Sequence, residues 1–247
     1  MFQGSREHQK EFLIALNEME AETEYHWDML NLYWECRRLA CILSVLERIS
    51  VEGNIIDVGC GDGVLLWHLE SAGLQKVGAD VSLTRLHRSQ SRCQALYVQA
   101  EATELPFLNH TFDLVVCTDV LEHLPAMERA VSELARICTD KGHILISVPC
   151  YNIYRLLTGK KRYISPYTHL REFSYFDAAG FEPVATLINQ FRKEGFLLTE
   201  RKGTCVFDIR VYQKHTSPVF RMIDRLLSQL PLRGLHLYEI LLFRRIK

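Results

Sequence analysis

Residues 54–63 read Asn-Ile-Ile-Asp-Val-Gly-Cys-Gly-Asp-Gly, an apolar run that breaks into a turn carrying Gly59, Gly61 and Gly63. Glycine in such a turn lets the backbone come close to a ligand and leaves N–H groups aimed at it. Asp80 ends the next strand-like run, where an acidic side chain is placed to accept hydrogen bonds from ribose hydroxyls. The pair suits a ribose-bearing cofactor, and nicotinamide sites use the same device. Glycine spacing begins to separate the two, because a dinucleotide fingerprint wants glycine or alanine where bulky Val64 stands. A plain turn, and Asp80 serving with Ser82 only as a helix cap, are the alternatives without chemistry.

Proton-handling candidates lie further along. An imidazole titrates near neutrality, and His169 sits in an aromatic and basic stretch, Tyr151 to Gly180, after the fifth strand-like run. Ligands of open α/β sheets gather at the carboxyl ends of strands, so His169 is the first candidate base, followed by Tyr151 and His123. His123, in Leu121-Glu122-His123-Leu124, has a structural hydrogen bond as its other reading. Arg171 is suited to hold an anionic group or to pair with Glu172 or Asp177 at the surface. Tyr25, Trp27, Tyr33 and Trp34 suit either a lid that excludes water or ordinary packing. Arg37 and Arg38 are expected on a helix surface, with reach to an acidic group as the alternative.

These residues need elements to position them. Apolar residues at helical spacing from Phe12 to Ile49 predict a helical lead-in. Strand-like Ile55–Val58 follows, then a helix capped by Asp62 and running to Gly73. Strand-like and helix-like segments then alternate: Lys76 to Ala79, Leu83 to Arg92, Ala95 to Gln99, Phe112 to Cys117, Pro125 to Cys138 and His143 to Val148. Such alternation belongs to a mostly parallel sheet with helices on both faces. Met127, Ala130, Val131, Leu134 and Ile137 make one apolar stripe. Past the aromatic and basic stretch, Pro183 to Glu194 reads as a helix and Phe196 to Glu200 as a strand, with a last strand over Leu237 to Ile246. Val219 to Leu230 is amphipathic and is expected to pack on the sheet; with Arg221, Arg225 and Arg233 nearby, a lipid surface is the other contact it suits.

With 247 residues, 48% of them apolar, the chain is ordinary for one α/β domain, and a net charge of −1 names no polyanionic partner. The eight cysteines never form a C-x-x-C pair, so neither zinc nor a disulfide framework is expected. A polar start and no run of about 18 apolar residues give the expectation of a cytoplasmic protein.

Taken in order, Ile55 to Gly63, Gly78 to Ser82, Glu101 to Phe107, Phe112 to Val116 and Val120 to Leu124 resemble the class I S-adenosylmethionine-dependent methyltransferases, especially the small-molecule type 11 group. The resemblance covers roughly Asn54 to Val148. It implies a Rossmann-like, doubly wound, mostly parallel seven-stranded α/β sheet and S-adenosyl-L-methionine as cofactor, with no metal. Carried over by position, Asp57 orients the cofactor's amino group, Gly59, Cys60 and Gly61 border its methionine part, and Asp80 beside Val81 takes the ribose hydroxyls. Glu101 stands where the family usually has aspartate near the adenine amino group, Ala102 faces the ring, and Thr118 with Asp119 lines the methionyl side. Residues 1–50 are then a helical lid or extension and 51–247 the catalytic domain, with a substrate-side insertion at about 150–182. The implied reaction is direct in-line methyl transfer to a small-molecule, sugar or lipid-linked acceptor. A cofactor-binding or scaffolding protein without turnover is the alternative, and a nicotinamide-dependent oxidoreductase a weaker one, disfavoured by Val64 and residues 101–107. Thr118-Asp119-Val120-Leu121 after the fourth strand is no target-base clamp, so nucleic acid is not an expected substrate.

Overall fold

The computed structural model describes residues 18, 33–69, 75–124, 126–149, 184–205, 217–229, 236 and 238–246. A seven-stranded sheet runs through them: β1 Ile55–Val58, β2 Lys76–Asp80, β3 Leu96–Gln99, β4 Phe112–Thr118, β5 Cys138–Pro149, β6 Phe196–Thr204 and β7 Tyr238–Arg245. Its order is β3-β2-β1-β4-β5-β7-β6. The first five strands pair in parallel, while β7 runs antiparallel to both β5 and β6. Six helices accompany them: α1 Tyr33–Leu46, α2 Val64–His68, α3 Leu83–Gln90, α4 Met127–Ile137, α5 Val184–Lys193 and α6 Pro218–Ser228.

Crossover helices cover both faces, so the central strands are largely apolar and buried. All four residues of β1 are buried, which makes Asp57 an anomaly to be explained by function. On one face α4 and α5 bring Leu134 and Phe191 onto Val115, Ile144 and Leu241. The stripe expected on α4 is borne out, with Ala130, Val131, Leu134 and Ile137 buried. On the other face Ile42 and Val45 of α1 join Ile55, Leu114, Val116, Leu145 and Ile240. Helix α1 is thereby bound to the sheet and reaches the carboxyl end of β4.

Several expectations are corrected. The helix after the glycine turn ends at His68 instead of Gly73, and its N-cap is Gly63 at φ 77°, with no side-chain cap. Asp62 is fully buried and lies 3.6 Å from Arg88, so its carboxylate serves the interior and not a helix end. Strand β6 continues past Glu200 because β7 supplies a partner as far as Thr204. Arg38 is not a surface residue, as shown below. Most unlike the expectation, α6 turns its apolar stripe outward. The sequence from Tyr151 to Gly180 lies outside the described residues, as does the lead-in before Tyr33 apart from Glu18.

Candidate functional site

The carboxyl ends of β1, β2 and β4 meet at the glycine turn. Gly59, Gly61 and Gly63 all take positive φ, at 78°, 53° and 77°. The backbone N–H groups of Gly59 and Cys60 both donate to the Ala79 carbonyl, at 2.7 and 3.1 Å, which ties the turn to the end of β2. A side chain at position 59 is excluded twice over: left-handed backbone disfavours it, and a Cβ would stand 2.1 Å from Val120 Cγ2. The turn is thus held in a shape that keeps backbone uncovered.

Asp80 explains how that shape is fixed. Its Oδ2 accepts from the Gly61 N–H at 2.8 Å and its Oδ1 from the Ser82 N–H at 2.9 Å. Ser82, in turn, caps α3 by accepting from the Arg85 N–H. Asp80 and Ser82 therefore do share a turn, but the cap belongs to Ser82. Burial raises the Asp80 pKa, and its two backbone hydrogen bonds pull the other way. Each carboxylate oxygen has a second lone-pair direction, so these bonds leave Asp80 able to accept hydroxyls.

Asp57 is the most telling group. It is 2% exposed on a central strand, and its Oδ1 has no hydrogen-bond partner among the described residues. Desolvation, then the charge of Asp80, pushes its pKa up to about 7, with Arg38 opposing. An unpaired buried carboxyl is costly, and a cationic or N–H-bearing ligand would relieve it.

The remaining positions form the rim. Asp119 holds a left-handed conformation, φ 55°, and donates its N–H to the Ser147 carbonyl at 3.0 Å. Its Oδ1 accepts from Ser147 Oγ at 2.7 Å and its Oδ2 pairs with Arg38 Nη1 at 2.6 Å. Thr118, half-buried, ends β4 beside it. On the other side, Glu101 Oε2 accepts from Thr103 Oγ1 at 3.2 Å, and Ala102 is buried. Val81 gives its carbonyl to Gln99 Nε2, and the Cys60 thiol is buried against the Gly61 carbonyl. The structure thus gathers Asp57, Gly59, Cys60, Gly61, Asp80, Val81, Glu101, Ala102, Thr118 and Asp119 around the strand ends. Tyr151 and His169 lie outside the described residues. His123 is half-exposed on a short 3-10 turn, Leu121–His123, and its surroundings disfavour the charged ring, lowering the pKa to about 4.

Two residues of the site, Glu122 and Glu18, escaped the sequence reading, and for a third, Arg38, contact with an acidic group was the alternative and not the expectation. Arg38 lies across Tyr238, with its guanidinium carbon 5.5 Å from the ring centroid, and supplies positive charge to the carboxylates around it. The side chain of Glu122 is 6% exposed, its Oε2 is unpartnered among the described residues, and burial followed by the charge of Asp119 raises its pKa well above the ordinary value. Its only signal was proximity to His123. Glu18 accepts from the Leu83 N–H at 2.6 Å and from Ser82 Oγ at 3.1 Å, at the amino end of α3, and nothing in its sequence neighbourhood marks it.

Comparison with known proteins agrees with this geometry. A family model described as a methyltransferase domain matches residues 24–196. Ubiquinone biosynthesis O-methyltransferase of Vibrio cholerae is 30% identical over 106 residues, covering 40% of this chain and 43% of that protein. The enzyme of the same name from Aliivibrio fischeri is 31% identical over 156 residues, covering 56% and 66%. The chain spans about half the length of these curated relatives. Among solved structures, a SAM-dependent methyltransferase of Thermotoga maritima superposes with a TM-score of 0.64 at 16% identity, over 93% of this chain and 99% of that one. At that identity the likeness concerns the fold.

Proposed function

From the premise that this chain belongs to the class I S-adenosylmethionine-dependent methyltransferases, we propose that it transfers a methyl group to a hydroxyl oxygen of a small-molecule acceptor. Family membership and the seven-stranded sheet support the reaction class, and the names of the curated relatives favour oxygen as the methylated atom.

The observation that carries the reading is the unpartnered Oδ1 of buried Asp57 beside a glycine cradle that a Cβ at Gly59 would fill. These residues fit the cofactor. Asp57 and the backbone of Gly59, Cys60 and Gly61 would hold its amino-acid end, and Asp80 beside Val81 would take the ribose hydroxyls. Glu101 and Ala102 would border the adenine, with Thr118 and Asp119 near the sulfur. When bound, S-adenosylmethionine supplies a methyl group already activated by a sulfonium leaving group. The chain's part is to orient the acceptor oxygen, exclude water and accept the proton that oxygen gives up. His169, Tyr151 and His123 are the proposed bases. Of the three, His123 is the weakest base, because burial disfavours its charged form. The Arg38–Asp119 ion pair holds the rim in position; of residues 1–50, α1 is packed on the sheet and the segment before it is the proposed lid.

The test is a labelled-methyl assay with a panel of aromatic hydroxyl compounds, paired with calorimetry of S-adenosylmethionine and NADH. Label on a phenolic oxygen is the expected result. Tight NADH binding without S-adenosylmethionine binding would overturn the assignment, and cofactor binding with no transfer to any acceptor in cell extract would favour a scaffolding role.

A further inference from the structure

An amphipathic helix at a protein surface ordinarily turns its apolar stripe toward the core. Helix α6 does the reverse. Val219, Met222, Ile223 and Leu226, at i, i+3, i+4 and i+7, are 62%, 54%, 41% and 56% exposed. Asp224, on the opposite side of the same helix, is fully buried and lies 3.8 Å from Arg37 of α1. The helix is therefore attached through a charged contact, leaving a row of large apolar side chains uncovered. A contiguous row of this kind marks a contact surface.

The flank of the row identifies the partner. At 100° per residue, Arg225 flanks the Met222 edge of the stripe. Behind that edge opens a cavity of about 810 Å³, walled by Arg37 of α1, Arg48 just past its end, Arg201 and Lys202 of β6, and Arg225 of α6, with Glu239 as the one acid among the described residues that line it. Glu239 engages Arg201 through both oxygens at 2.6 and 2.7 Å, and Arg48 pairs with Glu200 at 2.6 Å, so part of this charge is answered. Lys202 spends one N–H on Ser44 Oγ, which leaves two. Arg37 is answered by Asp224, whereas Ser228 Oγ, buried at the cavity wall, has no hydrogen-bond partner among the described residues. Apolar stripe, basic edge and basic recess stand side by side. This is the profile of a helix that lies in the plane of a lipid interface. No helix among the described residues is long and apolar enough to cross a membrane.

We propose that α6 docks the protein on an anionic lipid surface, its apolar stripe entering the acyl boundary and the adjoining basic recess receiving headgroup phosphates. The proposal does not depend on the methyl-transfer reading, because none of these residues belongs to the cofactor site.

Flotation with vesicles of mixed phosphatidylglycerol and phosphatidylcholine, beside pure phosphatidylcholine, tests it on the full chain. Binding to the anionic vesicles is expected, falling as salt rises. Met222→Asp with Leu226→Asp should abolish it, and Arg225→Glu should weaken it about fivefold or more. These side chains are exposed, so the variants should melt and bind S-adenosylmethionine as the wild type does. Failure of the wild type to float, or equal flotation by the stripe variant, overturns the proposal. So does a dimer that Met222→Asp dissolves without any lipid binding, since a second copy would then be the occupant. Saturable binding of inorganic phosphate with no vesicle binding would assign the recess to a small anion instead, and would likewise overturn it.

Discussion

At Asp57 a carboxyl is buried on a central strand without a partner for one oxygen, and its pKa lies near 7. The sign of the consequence follows from the direction of the shift. The folded group holds its proton above the ordinary 3.8, so the unliganded fold is most favoured below about pH 4 and gives up that stability as pH rises toward 7. A cationic amino group prefers the ionised form, so S-adenosylmethionine affinity should climb with pH up to about 7 and then level, and binding at pH 6 should release a proton. Calorimetry in buffers of differing ionisation enthalpy reads both. Asp57→Asn should remove the slope and weaken binding about tenfold or more. A variant with wild-type affinity at every pH would take Asp57 out of the cofactor site.

Helices α1, α3 and α6 show how elements deliver residues that their own sequences do not announce. Glu18 reaches the amino end of α3 just beyond Asp80, where a carboxylate is favoured by unpaired backbone N–H groups. Burial raises its pKa, but hydrogen bonds from Thr84, Leu83 and Ser82 outweigh that and hold it below the ordinary value, so its contribution is present above about pH 4.5 and is lost as pH falls. Glu18→Gln should therefore raise the dissociation constant for S-adenosylhomocysteine about two- to fivefold at pH 7, read by calorimetry, with no change at pH values low enough to protonate the wild type. An unaltered constant at pH 7 would leave Glu18 a purely local tie. The glycine turn and the α4 stripe were legible in the sequence because their causes are local: positive φ demands glycine, and a period of 3.6 demands one buried face. Arg38 was not, since Arg37 and Arg38 differ only in which way α1 is rotated on the sheet, and that is decided by distant Leu114, Val116 and Ile240. On α6 the stripe itself was plain, but its outward direction depends on Asp224 meeting Arg37 from the far end of the chain. Glu122 and His123 are neighbours of opposite exposure, a distinction that no spacing rule makes.

Over the whole molecule, a ligand that binds only the folded chain must raise its melting temperature. At a concentration near a hundred times the dissociation constant the gain is about 2.7 kcal/mol, which for a chain of this size corresponds to roughly 5–10 °C. Thermal melts with S-adenosylhomocysteine should show that rise and Asp57→Asn should lose about half of it or more; an unshifted wild-type melt would mean that no such ligand is held. The strand order carries a consequence of another kind. Strand β7 is made after every other described strand, yet it lies inside the sheet, with Tyr238 to Phe243 buried between β5 and β6. During synthesis β6 has no sheet neighbour until residues 238–245 clear the ribosome, and β5 keeps an open edge for as long. Unpaired edges invite chaperones and proteases. A message cut short before codon 238 therefore yields a chain that cellular surveillance can recognise as unfinished, even though the cofactor cradle formed by β1, β2 and β4 has already been translated in full.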